Sequence, residues 1–336
     1  MTSKLLSIIQ RDFPLTPKPF ASIAEKLNSD EETIIKILSQ EKANRTIRQI
    51  SPIFDTKRLG YKSSLVSFKV KRENIDNAVK VINSHPGVSH NYEREHPFNI
   101  WFTLAVAPDS KFGLEKTVEI LSKEAKAIEH IILPTLKLFK IAVKLNTTGK
   151  DAKKEKVAKQ KIKPIELTPL HRRVIKVSQK DIPIVSEPFK DIIEELDISY
   201  DEFFTILREL KEAGIMRRFA GILNHRRAGF NANAMVVWDI DEAKADEMGK
   251  RAAEFTAVSH CYLRPKYPNW PYNLFTMVHG KTTEETNNII KEMAHEIEHF
   301  SRRPLYSTRE FKKVRIEYFS PKFKEWEESK MAYATI

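Results

Sequence analysis

HPGVSHNYERE at residues 85–95 and FTAVSHCYLRP at residues 255–265 read as one strand written twice. Both carry the core V-S-H-x-Y-x-R, offset by 170 residues (90 to 260). The match extends outward on both sides. RQISPIFDTKRLGY at 48–61 faces RRFAGILNHRRAGF at 217–230, an offset of 169. FNIWFTL at 98–104 faces YNLFTMV at 272–278, an offset of 174, because KYPNWP at 266–271 adds residues before the second segment. Three matched blocks in one order define an internal duplication.

Each copy opens with short amphipathic helical patterns. In copy one these are KLLSIIQRDF, PFASIAEKL and DEETIIKILSQEKA; in copy two, PLHRRVIKVSQ, PFKDIIEEL and SYDEFFTILRELKEAG. Ser29-Asp30 and Ser199 are suited to cap helices, and Gly214 suits a helix end. Three helices followed by a basic hairpin make a winged helix-turn-helix pattern. The remainder of each copy alternates strand and helix. In copy two the strands are ANAMVVWDI, AVSHCYLRP, NLFTMVH and a last one near FKKVRIEYF. The helices are DEAKADEMGKRAAEF and TEETNNIIKEMAHEI. The order is βαββαβ, the ferredoxin-like plan, with both helices on one face of an antiparallel sheet. The predicted class is α+β, a tandem repeat of winged helix-turn-helix plus ferredoxin-like βαββαβ domain. Its expected segments are 1–60 (winged-helix-like), 61–146 (ferredoxin-like), a basic linker at 147–166, 167–230 (winged-helix-like) and 231–325 (ferredoxin-like). GKDAKKEKVAKQKIK at 149–163 holds seven lysines against two acids, the composition of a solvated linker.

The 336 residues carry a net charge of +12, which favours a polyanionic partner: nucleic acid, or a small molecule with many carboxylates. A single cysteine excludes an intrachain disulfide framework and a CxxC metal site. No run is long and apolar enough for a membrane span, and no signal peptide is recognisable, so a cytoplasmic protein is expected.

Strand alternation locates the chemistry. In AVSHCYLRP, Ala257, Ser259, Cys261 and Leu263 are expected to face the helices, and His260, Tyr262 and Arg264 the open side of the sheet. His90, Tyr92 and Arg94 repeat this in copy one. Three polar groups in a row suit a ligand site or a buried hydrogen-bonded network. Cys261 and His260 point to opposite faces, which argues against a Cys–His nucleophile. His295 and His299 fit H-E-x-x-H, but a buried stripe of Ile289, Met293, Ile297 and Phe300 turns them to water, and no third ligand follows. The basic stretch Arg217, Arg218, His225, Arg226 and Arg227 suits carboxylates or phosphates. The recognition-helix positions are acid-rich (Glu31, Glu32, Asp201, Glu202), which opposes entry into a DNA groove.

The segments RRFAGILNHRRAGFNANAMVVWDI, VSHCYLRP, NWPYNLFTMVHG and LYSTREFKK, with PIFDTKRLGYKSSLVSFKV, INSHPGVSHNYERE and FNIWFTLAVAP in copy one, resemble the siroheme decarboxylases, an Lrp/AsnC-like family. Here both subunit types would be fused. The resemblance implies loss of CO2 from two acetate side chains of siroheme, giving 12,18-didecarboxysiroheme, in an alternative route to haem or the related route to haem d1. It implies no separate cofactor, because the iron arrives with the substrate, and no protein-bound metal. His260 is the first candidate for the proton donor, with His90 its copy-one equivalent. Arg217, Arg218, Arg226, Arg227, Arg264, Arg309, Arg48 and Arg94 are candidates for holding carboxylates. Tyr262, Trp270, Tyr272, Asn273 and Tyr306 are candidates for stacking on the ring or bonding its side chains. His225 or His260 is a candidate ligand for the substrate iron. The denser basic stretch and the KYPNWP insertion assign the main pocket to copy two. The implied partner is siroheme, without specific DNA or membrane. The copies would form a pseudo-dimer within the chain, with room for a homo-oligomer. The competing reading is an Lrp/AsnC-like transcription regulator that senses a small metabolite.

Overall fold

In copy one, Leu5 and Ile9 fall on one face of α1 (Thr2–Arg11), and Phe20, Ile23 and Ala24 on one face of α2 (Pro19–Leu27). Such spacing buries a stripe while the charged positions stay wet. Pro19 opens α2, and Asn28, in the left-handed conformation, closes it. Asp30 then caps α3 (Glu31–Ala43) by accepting from the Thr33 N–H at 2.7 Å. The cap is therefore Asp30 of the Ser29-Asp30 pair. Strand β1 (Ile47–Phe54) follows.

The computed structural model describes residues 1–11, 13–141, 163–223 and 232–333. They fall into two compact units. The first unites the helical segments of both copies, residues 1–61 and 163–223, with residues 317–321. Copy two contributes α6 (Pro169–Ser178), α7 (Lys190–Leu196), α8 (Tyr200–Glu212) and β7 (Met216–Leu223). Thr168 and Ser199 cap α6 and α8 as hydrogen-bond acceptors. Gly214, at φ +65°, turns the chain out of α8, and Arg45 takes the same turn after α3 at φ +58°. Of the hairpin expected after the helices of copy two, only β7 lies within the described residues. β7 pairs antiparallel with β1 of the other copy, Ser51 opposite Ala220. Phe13 of copy one stacks on Phe219 of copy two at 5.4 Å, closing a shared core.

The second unit holds nine strands and five α-helices among the described residues. Copy one supplies β2 (Lys62–Lys69), α4 (Ile75–Ser84), β3 (Val88–Arg94), β4 (Ile100–Val106), α5 (Gly113–Glu124), β5 (Glu129–Leu133) and β6 (Lys137–Ile141). Copy two supplies β8 (Ala232–Asp239), α9 (Ala245–Glu254), β9 (Val258–Leu263), β10 (Leu274–Gly280), α10 (Thr283–Glu296), β11 (Ser301–Lys313) and α11 (Lys322–Ser329). The strand order is β5-β2-β4-β3-β11-β8-β10-β9-β6. Its first four strands and β11-β8-β10-β9 are two ferredoxin-like sheets.

The copies exchange strands. The first half of β11 pairs with β8 of its own copy, and its second half continues along β3 of copy one. Reciprocally, β6 of copy one lies along β9 of copy two. The last strand thus runs over 301–313 rather than near 311–319. The helix-free faces are not open, as alternation alone suggests. They meet in an apolar cluster of Phe98, Trp101, Met235, Val237, Trp270 and Phe275. Each helix-covered face has its own core, around Phe68 and Leu121 in copy one and Trp238 and Met293 in copy two. No helix of the described residues is long and apolar enough to cross a membrane.

Candidate active site

The equivalent strands β3 and β9 of the two copies carry the V-S-H-x-Y-x-R segments. On β9, Cys261 packs on the helix side, its thiol donating to the Gly249 carbonyl at 3.6 Å, and Tyr262 packs toward the shared apolar cluster. His260 stacks beside Tyr262 with ring centroids 6.0 Å apart, and His90 beside Tyr92 at 6.2 Å. The alternation has one irregularity. A register shift between Val258 and His260 inserts Ser259 as an extra residue, so Val258 joins Cys261 in the helix-side core. Copy one has the same shift between Val88 and His90.

That bulge gives His260 its partner. The Ser259 hydroxyl lies 2.8 Å from His260 Nδ1 and 2.5 Å from Nε2 of His279 on β10. His279 Nδ1 lies 2.7 Å from Asn233 Oδ1. Burial holds the His260 imidazole below the ordinary histidine range. Burial, with the nearby His260, takes His279 down to about 4. Both are therefore neutral imidazoles at pH 7. Ser259 was expected to face the helices, and the bulge turns it to the two histidines instead; sequence reading missed His279 altogether. His279 stands inside the quoted NWPYNLFTMVHG, but only the strand register brings it to Ser259. Burial pushes the Cys261 thiol up to about 12, which leaves it a poor nucleophile.

Arg94 and Arg264 were expected to hold carboxylates. The structure places both inside, 5% and 8% exposed, with directed backbone partners. Arg94 Nη1 donates to the Leu305 carbonyl of copy two at 2.6 Å, and Arg264 Nη1 donates to the Leu133 carbonyl of copy one. Arg264 also lies 4.9 Å from the Tyr262 ring centroid. Burial lowers both guanidinium groups to about 10, so they remain charged at neutral pH. They are reciprocal pegs between the copies.

Three further expectations are corrected by packing. Trp270 is 0% exposed, edge-on to His96 and Tyr272, and presents no face for stacking on a ring. Asn273 spends its amide on Ile240, accepting from the N–H at 3.0 Å and donating to the carbonyl at 3.1 Å. Asn99 does the same to Val70 in copy one. Tyr306 packs on the helix side and donates to Asn287 Oδ1 at 2.7 Å, away from His260's face. Tyr272 stays half-buried against the shared cluster.

The remaining basic candidates belong to both units. Arg217 on β7 pairs with Asp55 at 2.9 Å, and Arg218 donates to the Gln10 carbonyl at 3.4 Å. Arg48 is exposed on β1. All three belong to the helical unit. Arg309 on β11 pairs with Asp76 at 3.1 Å and Glu93 at 3.6 Å. His225, Arg226 and Arg227 lie outside the described residues. A cavity of about 580 Å³ sits at the β3–β4 turn of copy one, lined by Arg72, Glu93, His96, Arg303 and Arg309 among others. Its location differs from the copy-two pocket expected from the sequence, whose basic stretch is only partly described. No cluster of three or more His, Cys, Asp or Glu able to hold a metal occurs among the described residues. In the H-E-x-x-H segment, α10 ends at Glu296, so His299 is off the helix and lies edge-on to Trp238 at 5.2 Å. Phe300 is 75% exposed and is no part of a buried stripe.

Two helix-turn-helix segments and two ferredoxin-like domains that exchange strands define an AsnC-like protein with both subunits in one chain. Residues 58–140 and 227–312 match the AsnC-like ligand binding domain, and residues 2–48 and 171–217 match the siroheme decarboxylase NirDL-like HTH domain. The chain is 40% identical over 323 residues to a siroheme decarboxylase of Hydrogenobacter thermophilus, covering 96% of each. It is 30% identical to the siroheme decarboxylase NirDL subunit of Paracoccus denitrificans, covering 92% of this chain and 94% of that one. A crystal structure of the siroheme decarboxylase NirDL superposes with a TM-score of 0.81 at 34% identity, over 100% of this chain and 99% of the other. A co-complex of NirDL with an iron-uroporphyrin III analogue gives 0.80 at 34% identity, over 98% of each. The chain belongs to the siroheme decarboxylase family.

Proposed function

We propose that this chain is a carboxy-lyase that removes CO2 from two acetate side chains of siroheme, giving 12,18-didecarboxysiroheme. The observation that carries the reading is the likeness to a siroheme decarboxylase along nearly the whole chain. In each decarboxylation the bond between the acetate methylene and its carboxylate breaks. CO2 leaves, the macrocycle takes the electron pair, and a proton converts the methylene to a methyl group. His260 supplies that proton. It is half-buried beside Tyr262 and bonded at Nδ1 to Ser259, which leaves Nε2 for substrate. A histidine suits proton delivery near neutral pH. Arginines of the basic stretch, Arg226 and Arg227 foremost, hold peripheral carboxylates. The iron comes with the substrate, and no further cofactor takes part. The single cysteine fits a cytoplasmic setting.

Replacing His260 by Ala should lower turnover on the order of 10²- to 10⁴-fold while siroheme still binds. Replacing His90 by Ala should have the smaller effect, since copy two alone holds the Ser259–His279 chain. Siroheme titration followed by absorption, with single-turnover product mass, checks both. Full turnover by His260→Ala together with loss in His90→Ala would move the site to copy one. Loss of binding in His260→Ala, with shifted siroheme bands, would make His260 an iron ligand instead of the acid.

A further inference from the structure

The register of the copy-two sheet assembles a hydrogen-bonded chain that no sequence motif announces. His279 on β10 stands opposite Asn233 on β8, and Met277 stands opposite His260 on β9. The bulge turns Ser259 into the gap between the two histidines. The contacts run Asn233 Oδ1 to His279 Nδ1 at 2.7 Å, His279 Nε2 to Ser259 Oγ at 2.5 Å, and Ser259 Oγ to His260 Nδ1 at 2.8 Å.

The chain has a direction. An amide oxygen only accepts, so His279 Nδ1 carries the hydrogen. A neutral imidazole has one N–H, which leaves His279 Nε2 as an acceptor. The Ser259 hydroxyl donates there, and its oxygen accepts from His260 Nδ1–H. His260 Nε2 is then the nitrogen left to gain or lose a proton. The pattern is unchanged whether Nε2 is protonated or bare. Copy one lacks the second histidine. Ala105 stands at the position of His279 and Ser63 at that of Asn233, paired opposite each other in the same way. Ser89 lies 3.0 Å from His90 Nδ1 and 2.7 Å from Thr103 Oγ1. A hydroxyl such as that of Thr103 donates or accepts equally well, unlike the His279 nitrogen that fixes Ser259 as a donor in copy two.

We propose that His279, held by Asn233, is a positioning residue for the decarboxylation: acting through Ser259, it fixes His260 in its Nδ1–H form and so presents Nε2 to the substrate. This rests on the reaction proposed above. Beside the substrate's carboxylates Nε2 first takes a proton from water, and when CO2 departs that proton forms the new C–H bond at the methylene carbon. Nε2 keeps the lone pair and is reprotonated from water. The hydrogen stays on Nδ1, donated to Ser259 Oγ throughout, so the ring neither flips nor loses its place between the two proton transfers.

The test uses full-length protein labelled with ¹⁵N-histidine, with His260 signals assigned by their loss in His260→Ala. Without siroheme, two-dimensional ¹H–¹⁵N spectra should show neutral His260 protonated at Nδ1. His279→Ala should convert it to a tautomer mixture and lower kcat on the order of 10- to 100-fold, with KM little changed. His279→Gln should recover the Nδ1–H form and most of the rate, because its amide oxygen accepts from Ser259. An Nε2–H form in the wild type would overturn the proposal. So would a His279→Ala variant that keeps both tautomer and rate. If the tautomer behaves as stated but no form of the protein releases CO2 from siroheme, the assigned reaction fails and the chain of contacts stands.

Discussion

At the residue scale, burial decides what a titratable side chain can do. His85, in copy one, lies in a pocket closed by Trp326 and Phe323, with ring centroids at 4.4 and 5.8 Å, and accepts from the Gly87 N–H at 3.0 Å. Burial, with Lys312 nearby, takes it from 6.5 to about 3. The folded state therefore refuses a proton that the unfolded chain accepts below pH 6.5. Stability is full above that value and falls by about 1.4 kcal/mol per pH unit until pH 3. By pH 5 the loss is about 2 kcal/mol from this group. His85→Gln keeps an acceptor for Gly87 and should remove that part of the slope. Urea unfolding at pH 7 and pH 5 checks it, and equal losses in both proteins would contradict the assignment. The same rule explains what the sequence concealed. His260, Tyr262 and Arg264 share a face, as alternation requires, yet alternation cannot show that Arg264 is spent on the Leu133 carbonyl. Nor can it show that an inserted Ser259 links His260 to His279.

At the scale of elements, the helices were legible because caps and apolar spacing are local signals. Asp30, Ser199 and Gly214 act where those signals place them. The strand exchange was not legible, since a strand's pattern names its buried face but not its neighbour. β6 tests this most sharply. Phe139 of copy one packs on α9 of copy two, where a Cβ on Gly249 would overlap its ring. By helix propensity alone, Gly249→Ala should stabilise by about 1 kcal/mol. The clash should reverse the sign and destabilise by roughly 1–3 kcal/mol. Adding Phe139→Leu should recover part of the loss. A single variant with a raised urea midpoint would show that β6 does not lie against α9.

At the scale of the whole molecule, the duplication and the charge of +12 were read directly from the chain. The charge did not choose its partner. The acids in the first turns of α3 and α8, Glu31, Glu32, Asp201 and Glu202, favour the helix N-termini and disfavour phosphates. Any retention of DNA should be sequence-blind and weaken steeply with salt, as counterion release requires. A salt-tolerant footprint on one short operator, seen in a protection assay across a salt series, would restore the regulator reading.

The central claim is the reaction, and the mass of the tetrapyrrole tests it most directly. The folded protein, incubated anaerobically with siroheme, should yield species lighter by one and then by two CO2, and 12,18-didecarboxysiroheme should accumulate. Siroheme that binds the folded protein and is recovered at unchanged mass would contradict it.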